Sequence, residues 1–233
     1  VRTLAKLTTV ETKLLVREPG AVFALAIPLF ILVVFGSAIT EGDTVLLPMA
    51  VTMAIGLVGL YLLPTTLATY RERGILRRLS VTPVRPANLL TVQLLLQLAL
   101  AVLAVALLLA IGIGLLGARA PGPLEFLTAA LLGTAAVFSI GLLIAALAPN
   151  GRSANGLGVL LFFPLAYLGG LMQPADRMPD ILVLVGGYTP FGALRQGLHD
   201  AWIGAALAPA PLVTLAVYAV VGGLVAARSF RWE

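Results

Sequence analysis

The chain reads as an all-α integral membrane protein. It predicts six transmembrane helices, an N-terminal interfacial helix and a short re-entrant helical region before the last span. Three observations predict this class. Hydrophobic residues make up 60% of the 233 and charged residues 11%, where a soluble domain that must face water carries about 25%. Six apolar stretches approach the ~20 residues that a helix needs to cross a ~30 Å hydrocarbon core. None of them alternates with the period of two of a barrel strand, and helices satisfy their own backbone polar groups in lipid. A mean hydropathy of +1.06 agrees, and the length fits one membrane domain over 1–233.

The elements follow in order. Residues 1–20 place Arg2, Lys6, Lys13 and Arg17 within an arc of roughly 60° at ~100° per residue. Leu4, Leu7, Leu14 and Leu15 lie opposite. This is an amphipathic helix for the membrane interface, ended by Pro19-Gly20. Glu11 and Glu18 project into the leucine sector, where they suit a protein partner better than lipid. The stretch also lacks the apolar core and cleavage site of a signal peptide, so the first span is expected to be retained.

The spans are 21–39, 45–69, 89–116, 124–148, 156–172 and 209–227. Pro28, Pro48, Pro64 and Pro164 fall inside or near the ends of spans. They read either as tolerated kinks or as bends that open a pathway. Residues 173–208 hold only short apolar runs, mixed with Arg195, His199 and Asp200. They read as short re-entrant or interfacial helices on the extracytoplasmic side.

The loop 70–88, YRERGILRRLSVTPVRPAN, sets Glu72, Arg73, Arg77 and Arg78 against Ile75, Leu76 and Leu79 at helical spacing. Pro83 and Pro86 stop the helix. Membrane orientation alone explains the arginines, but the leucine ridge suits a groove on a soluble partner.

Charge sets the orientation. With both termini cytoplasmic, twelve of the fifteen basic residues fall on the cytoplasmic side; only Arg119, Arg177 and Arg195 lie outside. That bias of basic residues is what the positive-inside rule describes, and Glu41, Asp43, Glu125, Asp176, Asp180 and Asp200 share the outer face. The net charge of +5 is thereby explained without nucleic acid, since the charges are sparse and sit between apolar runs.

Catalytic chemistry is missing. No phosphate loop, H-E-x-x-H or G-x-S-x-G motif occurs, and no cysteine is present for thiol or metal chemistry. His199 is the only histidine and reads, beside Asp200, as a solvated polar pair. No charge falls clearly in the middle of a span, which disfavours an ion-coupled carrier. The expectation is a non-enzyme with no metal and no cofactor of its own, whose cargo is apolar or amphipathic.

The loop motif Glu72-Arg73-Gly74 through Arg77-Arg78-Leu79 to Thr82-Pro83-Val84 resembles that of ABC-2 type transporter permeases, which include bacterial drug and antibiotic exporters. The match continues through Ser153-Ala154-Asn155-Gly156, Phe162-Phe163-Pro164, Gly169-Gly170, Met178-Pro179 and Thr189-Pro190-Phe191. The resemblance implies a permease in the bacterial cytoplasmic membrane. It would pair with a second permease, a copy or a paralogue, and with a cytoplasmic ATPase that binds ATP and magnesium.

It further implies that Arg71–Val81 is a coupling helix, with Glu72, Gly74, Leu76 and Arg78 contacting the ATPase. Met53, Leu57 and Tyr61 of the second span would line the pathway opposite Phe162, Phe163 and Tyr167 of the fifth. Small residues in the spans, such as Ala129 and Gly133, would permit close helix contact in the dimer. Alternatives are an ATP-independent channel or secondary carrier and, with no catalytic constellation behind it, a membrane-embedded enzyme.

Overall fold

The computed structural model describes residues 2–36, 44–74, 86–173 and 177–229. Among these, all regular structure is helical. Helix α1 is Arg2–Arg17, α2 is Pro19–Phe35 and α3 is Leu46–Glu72. Then follow α4, Pro86–Gly114, α5, Pro123–Leu147, and α6, Gly151–Leu168. Two short helices, α7, Asp180–Gly187, and α8, Pro190–Ile203, precede α9, Pro209–Ser229.

Local chemistry accounts for the boundaries. Proline opens α2, α5 and α8 in the first turn, where its missing N–H is not needed. Asn150 caps α6 by accepting from the Ser153 amide at 2.8 Å, and Thr189 caps α8 by accepting from Gly192 at 3.1 Å. At the other end of α6, Gly169-Gly170 stops the helix four residues before the expected Met172. Gly170 takes φ +72° while the Leu171 amide returns to the Ala166 carbonyl at 2.8 Å.

Four helices, α3, α4, α5 and α9, are long and apolar enough to cross a membrane. The expected spans 21–39 and 156–172 correspond to α2 and α6, which are 17 and 18 residues long. Residues 37–39 of the first lie outside the described residues. The polar opening Gly151-Arg152-Ser153 lowers the hydropathy of α6.

Helix α3 is the axis of the bundle. Its most apolar stretch is 72% buried by the rest of the chain, against 17% for α9. It runs from the α8 end, where His199 Nδ1 donates to the Thr44 carbonyl at 2.9 Å, to the α1 end, where Tyr70 meets Glu11. Midway, Leu57–Leu62 winds as a π-helix. Pro64 explains why: it has no N–H to give to Leu60 or Gly59, and the Leu63 amide bonds to Val58 instead.

The Gly59 and Leu60 carbonyls face two other helices at bare backbone. A Cβ at Gly141 of α5 would overlap the Gly59 oxygen, and one at Gly158 of α6 would overlap the Leu60 oxygen. Only glycine admits these approaches, and the Cα–H groups supply weak donors to oxygens that the π turn leaves short of partners. At Pro64 the neighbouring helices cover the freed carbonyls, as the tolerated-kink reading expected.

The small residues Ala129 and Gly133, expected to serve a dimer contact, are used within the chain. Leu194 of α8 fills the space beside Gly133, and Gly197 approaches Ala129. Helix α9 packs chiefly on α5, where Ser139 Oγ donates to the Tyr218 carbonyl at 2.8 Å opposite Gly222.

Gly141→Ala and Gly158→Ala are each expected to destabilise the purified protein by about 1–3 kcal/mol through overpacking. Gly156→Ala, whose new methyl meets nothing within 4 Å, is expected to leave the melting temperature unchanged. Thermal unfolding in detergent, followed by tryptophan fluorescence, checks both.

Candidate functional site

Two assemblies stand out, one at the α1 end and one along the middle of α3. At the α1 end, Glu11 is not turned to lipid or to a foreign partner. It is 6% exposed, and its Oε2 accepts from the Tyr70 hydroxyl at 2.6 Å and from Gln93 Nε2 at 2.5 Å. Gln93 Nε2 also reaches the Tyr70 oxygen at 3.1 Å. Three helices, α1, α3 and α4, are thereby tied by one buried carboxylate, and charge-assisted bonds of this kind are stronger than neutral ones. Nearby Glu18, at the α1–α2 junction, is half-buried, and desolvation holds its carboxyl above the usual range.

The next two residues of α3 extend the linkage. Arg71 donates to the Ala146 carbonyl at 3.1 Å and to the Ala148 carbonyl, at the C-terminus of α5 where a cation is favoured. Glu72 Oε2 accepts from the Gly151 amide at 3.0 Å, at the positive N-terminus of α6. Glu72, expected to touch a partner, therefore also fastens its own chain, although its side chain is otherwise exposed. Gly74 closes the turn after α3 at φ +63° with open space around it. Leu76, Arg78 and the rest of the expected coupling helix through Val81 lie outside the described residues.

The second assembly is a groove of ≈ 330 Å³ between α2, α3 and α6. Five of the six residues expected on a pathway line it together: Met53, Leu57, Tyr61, Phe162 and Phe163. Tyr167, one turn beyond Phe163, is not among them. Phe23, Ala24 and Ile27 of α2 form the third wall, which the sequence did not suggest. No charged side chain lines it among the described residues. In a straight α-helix Met53, Leu57 and Tyr61 drift around the axis at ~100° per residue. The wider π turn takes up that drift and keeps the three on one wall.

Phe162 also anchors the groove to α8. Its ring stands edge-on to Phe191 with centroids 5.5 Å apart, and to Phe163 at 5.8 Å. A Cβ at Gly56 would strike both Phe191 and Phe162. Helix α8 thus starts at the middle of α3 and ends at its beginning. There Trp202 Nε1 donates to the Arg119 carbonyl at 3.0 Å, and the Gly122 amide donates to the Ala201 carbonyl at 2.8 Å.

His199 and Asp200 are not a solvated pair. Asp200 is 6% exposed; it accepts from Gln196 Nε2 at 2.9 Å and from the Ala208 amide at 3.4 Å, while His199 binds Thr44. The packing of α8 into the bundle buries Asp200 and half-buries His199. Among the described residues no cluster of His, Asp or Glu forms a metal site.

A model of the ABC-2 type transporter family matches residues 4–199, from α1 through the linkage and the groove into α8. The chain belongs to the ABC-2 type transporter family. No curated protein matches it significantly. As an ABC-2 membrane domain it is an integral membrane protein and the permease component of a transporter, not the ATPase. Permeases of this family work with an ABC ATPase partner.

The residues that sequence reasoning missed, Tyr70 and Gln93, carried a usable signal. A carboxylate in a leucine sector needs a buried donor, and Gln93 is a polar interruption in an apolar run.

Tyr70→Phe leaves the buried Glu11 carboxylate with one donor and is expected to cost about 1–3 kcal/mol. Glu11→Gln and Tyr70→Phe together are expected to cost less than the sum of the single changes, as coupled partners do. Chemical or thermal unfolding of the four-member cycle measures the coupling.

Proposed function

We propose that this ABC-2 permease is half of an exporter that carries a hydrophobic or amphipathic molecule, a drug, antibiotic or lipid, out of a bacterial cell. ATP and magnesium on a separate cytoplasmic ATPase drive it. In this reading α2, α3, α4, α5, α6 and α9 all cross the membrane, with 1–20 at the cytoplasmic interface and both termini cytoplasmic. At 1.5 Å per residue α2 and α6 span ~26–27 Å. Such a mismatch with a ~30 Å core is accommodated at modest cost by local thinning. Helices α7 and α8 form the re-entrant hairpin within 173–208, entering from the outer side.

The apolar groove carries the reading. Its lining offers aromatic, methionine and aliphatic surface with the Tyr61 hydroxyl as a polar handle, which suits an amphipathic cargo. The large apolar residues Phe30, Val33 and Val34 on α2 and Leu160 on α6 remain exposed and suit a second permease, copy or paralogue, with membrane lipid around the rest. The α1-end linkage supports the coupling role of 70–88. An ATPase that pushes the loop after Gly74 moves Tyr70, Arg71 and Glu72, and through them α1, α5 and α6 together.

Co-expression with the cognate ATPase tests both parts. Leu76→Ala combined with Arg78→Ala is expected to abolish co-purification of the ATPase. Leu57→Trp is expected to preserve co-purification while lowering substrate-stimulated ATPase activity and transport at least tenfold. Transport in proteoliposomes without the ATPase would support the channel or secondary-carrier alternative and overturn this reading.

A further inference from the structure

A second cavity, of ≈ 280 Å³, lies among the end of α6, α7, α8 and the start of α9, and shares no lining residue with the groove. Its walls are mostly apolar: Leu168, Met178, Val183, Leu184 and Pro211. One cation, Arg195, lines it. The Arg195 Nε donates to the Gly169 carbonyl at 2.6 Å, which uses one N–H of the guanidinium fork. A Cβ at Gly170 would stand 3.3 Å from that Nε, so the guanidinium lies over the bare backbone of Gly170.

No carboxylate serves this arginine within its own helix. Asp200, the one acid on α8, is taken up by Gln196 and the Ala208 amide. Asp180 stands two residues after Met178 of the lining, and among the described residues no ion pair joins it to Arg195. The helix ends at the cavity offset one another, since α8 and α9 bring their positive N-termini and α6 and α7 their negative C-termini. Among the described residues of the lining, Arg195 sets the sign of the site.

A guanidinium in an apolar pocket is costly until an oxyanion pairs with it, and its fork matches phosphate and carboxylate oxygens. Arg195 lies four residues before His199 on α8, ~6 Å inward of the Thr44 contact. The cavity is open at Tyr188, which is 62% exposed, and Ile181 and Leu184 continue an exposed apolar strip along α7.

The geometry points to a binding site for an anionic amphiphile: Arg195 holds its phosphate or carboxylate, and its chain lies on Val183, Leu184 and the outer strip of α7. The volume admits a headgroup and the first methylenes of a chain. This site lies apart from the proposed pathway and needs no ATPase, so failure of the docking or groove experiments leaves it standing.

Binding of a fluorescent short-chain phosphatidylglycerol, of oleate and of inorganic phosphate to the full purified chain tests it. At least one of the two amphiphiles is expected to bind saturably, with inorganic phosphate at millimolar concentration failing to compete. Arg195→Gln is expected to weaken that binding tenfold or more. Gly187→Leu, which keeps the charge but fills the cavity where a Cβ meets open space, is expected to do the same. Arg119→Gln, at an exposed arginine of the α8 end, is expected to change nothing.

Wild-type affinity in both cavity variants would overturn the site, as would absence of saturable binding of either amphiphile. An equal loss in Arg119→Gln would reduce it to diffuse surface charge. Saturable, Arg195-dependent binding of inorganic phosphate alone would make it a free-anion site and overturn the role of the chain.

Discussion

The π turn of α3 is the constraint around which the bundle is arranged. Proline at position 64 removes a backbone donor in the middle of a buried helix, and an unpaired carbonyl in such a place is expensive. The fold meets this by winding Leu57–Leu62 wider and by pressing the bare backbone of Gly141 and Gly158 onto the Gly59 and Leu60 oxygens. Close approach of α5 and α6 follows from that, and so does the phase of the second half of α3. Met53, Leu57 and Tyr61, spaced by four, share one helix face, and the π turn between them narrows their spread. The accommodation of one proline thus sharpens this wall of the groove.

The two ends of α3 are held by different chemistry. At the α8 end His199 meets the Thr44 carbonyl just before α3, while Trp202 ties α8 to the α4–α5 connection at the Arg119 carbonyl, with Asp200 buried. At the α1 end a buried carboxylate, a hydroxyl and an amide bind three helices, and Arg71 and Glu72 secure the α5–α6 turn. Polar contacts are directional, whereas the glycine contacts at the middle are steric. A helix fastened in this way transmits displacement along its length more readily than it bends at its centre. In an ABC-2 permease this suits an element that carries a push from the ATPase side to the wall of a pathway.

Much of this was legible in the residues. The long apolar runs of α3, α4, α5 and α9 set their own boundaries to within a few residues, because lipid and helix geometry leave little choice. Five of the six residues expected on a pathway line one groove. Harder to read were features that depend on two distant segments meeting. Glu11 was visible as a misfit in the leucine sector, but its partners Tyr70 and Gln93 lie 59 and 82 residues away. Asp200 and His199 read as a solvated polar pair because nothing in 190–203 announces that α8 packs against α5 and α9. Ala129 and Gly133 signalled a close approach correctly, but not which helix would approach. The expected span 156–172 is displaced by four to five residues from α6, because hydropathy continues past the Gly169-Gly170 stop and the polar Gly151-Arg152-Ser153 opening hides the start.

The central claim is that the groove between α2, α3 and α6 is a working space whose walls must move relative to one another. The absence of cysteine allows a direct measurement. Ile27 of α2 and Val159 of α6, both in the lining, are replaced by cysteine and joined by a bifunctional maleimide, and ATP-driven transport is measured in proteoliposomes containing the assembled complex. The account predicts that the bridge abolishes transport while the ATPase still co-purifies, and that the unbridged double variant transports normally. Unchanged transport by the bridged protein would contradict it.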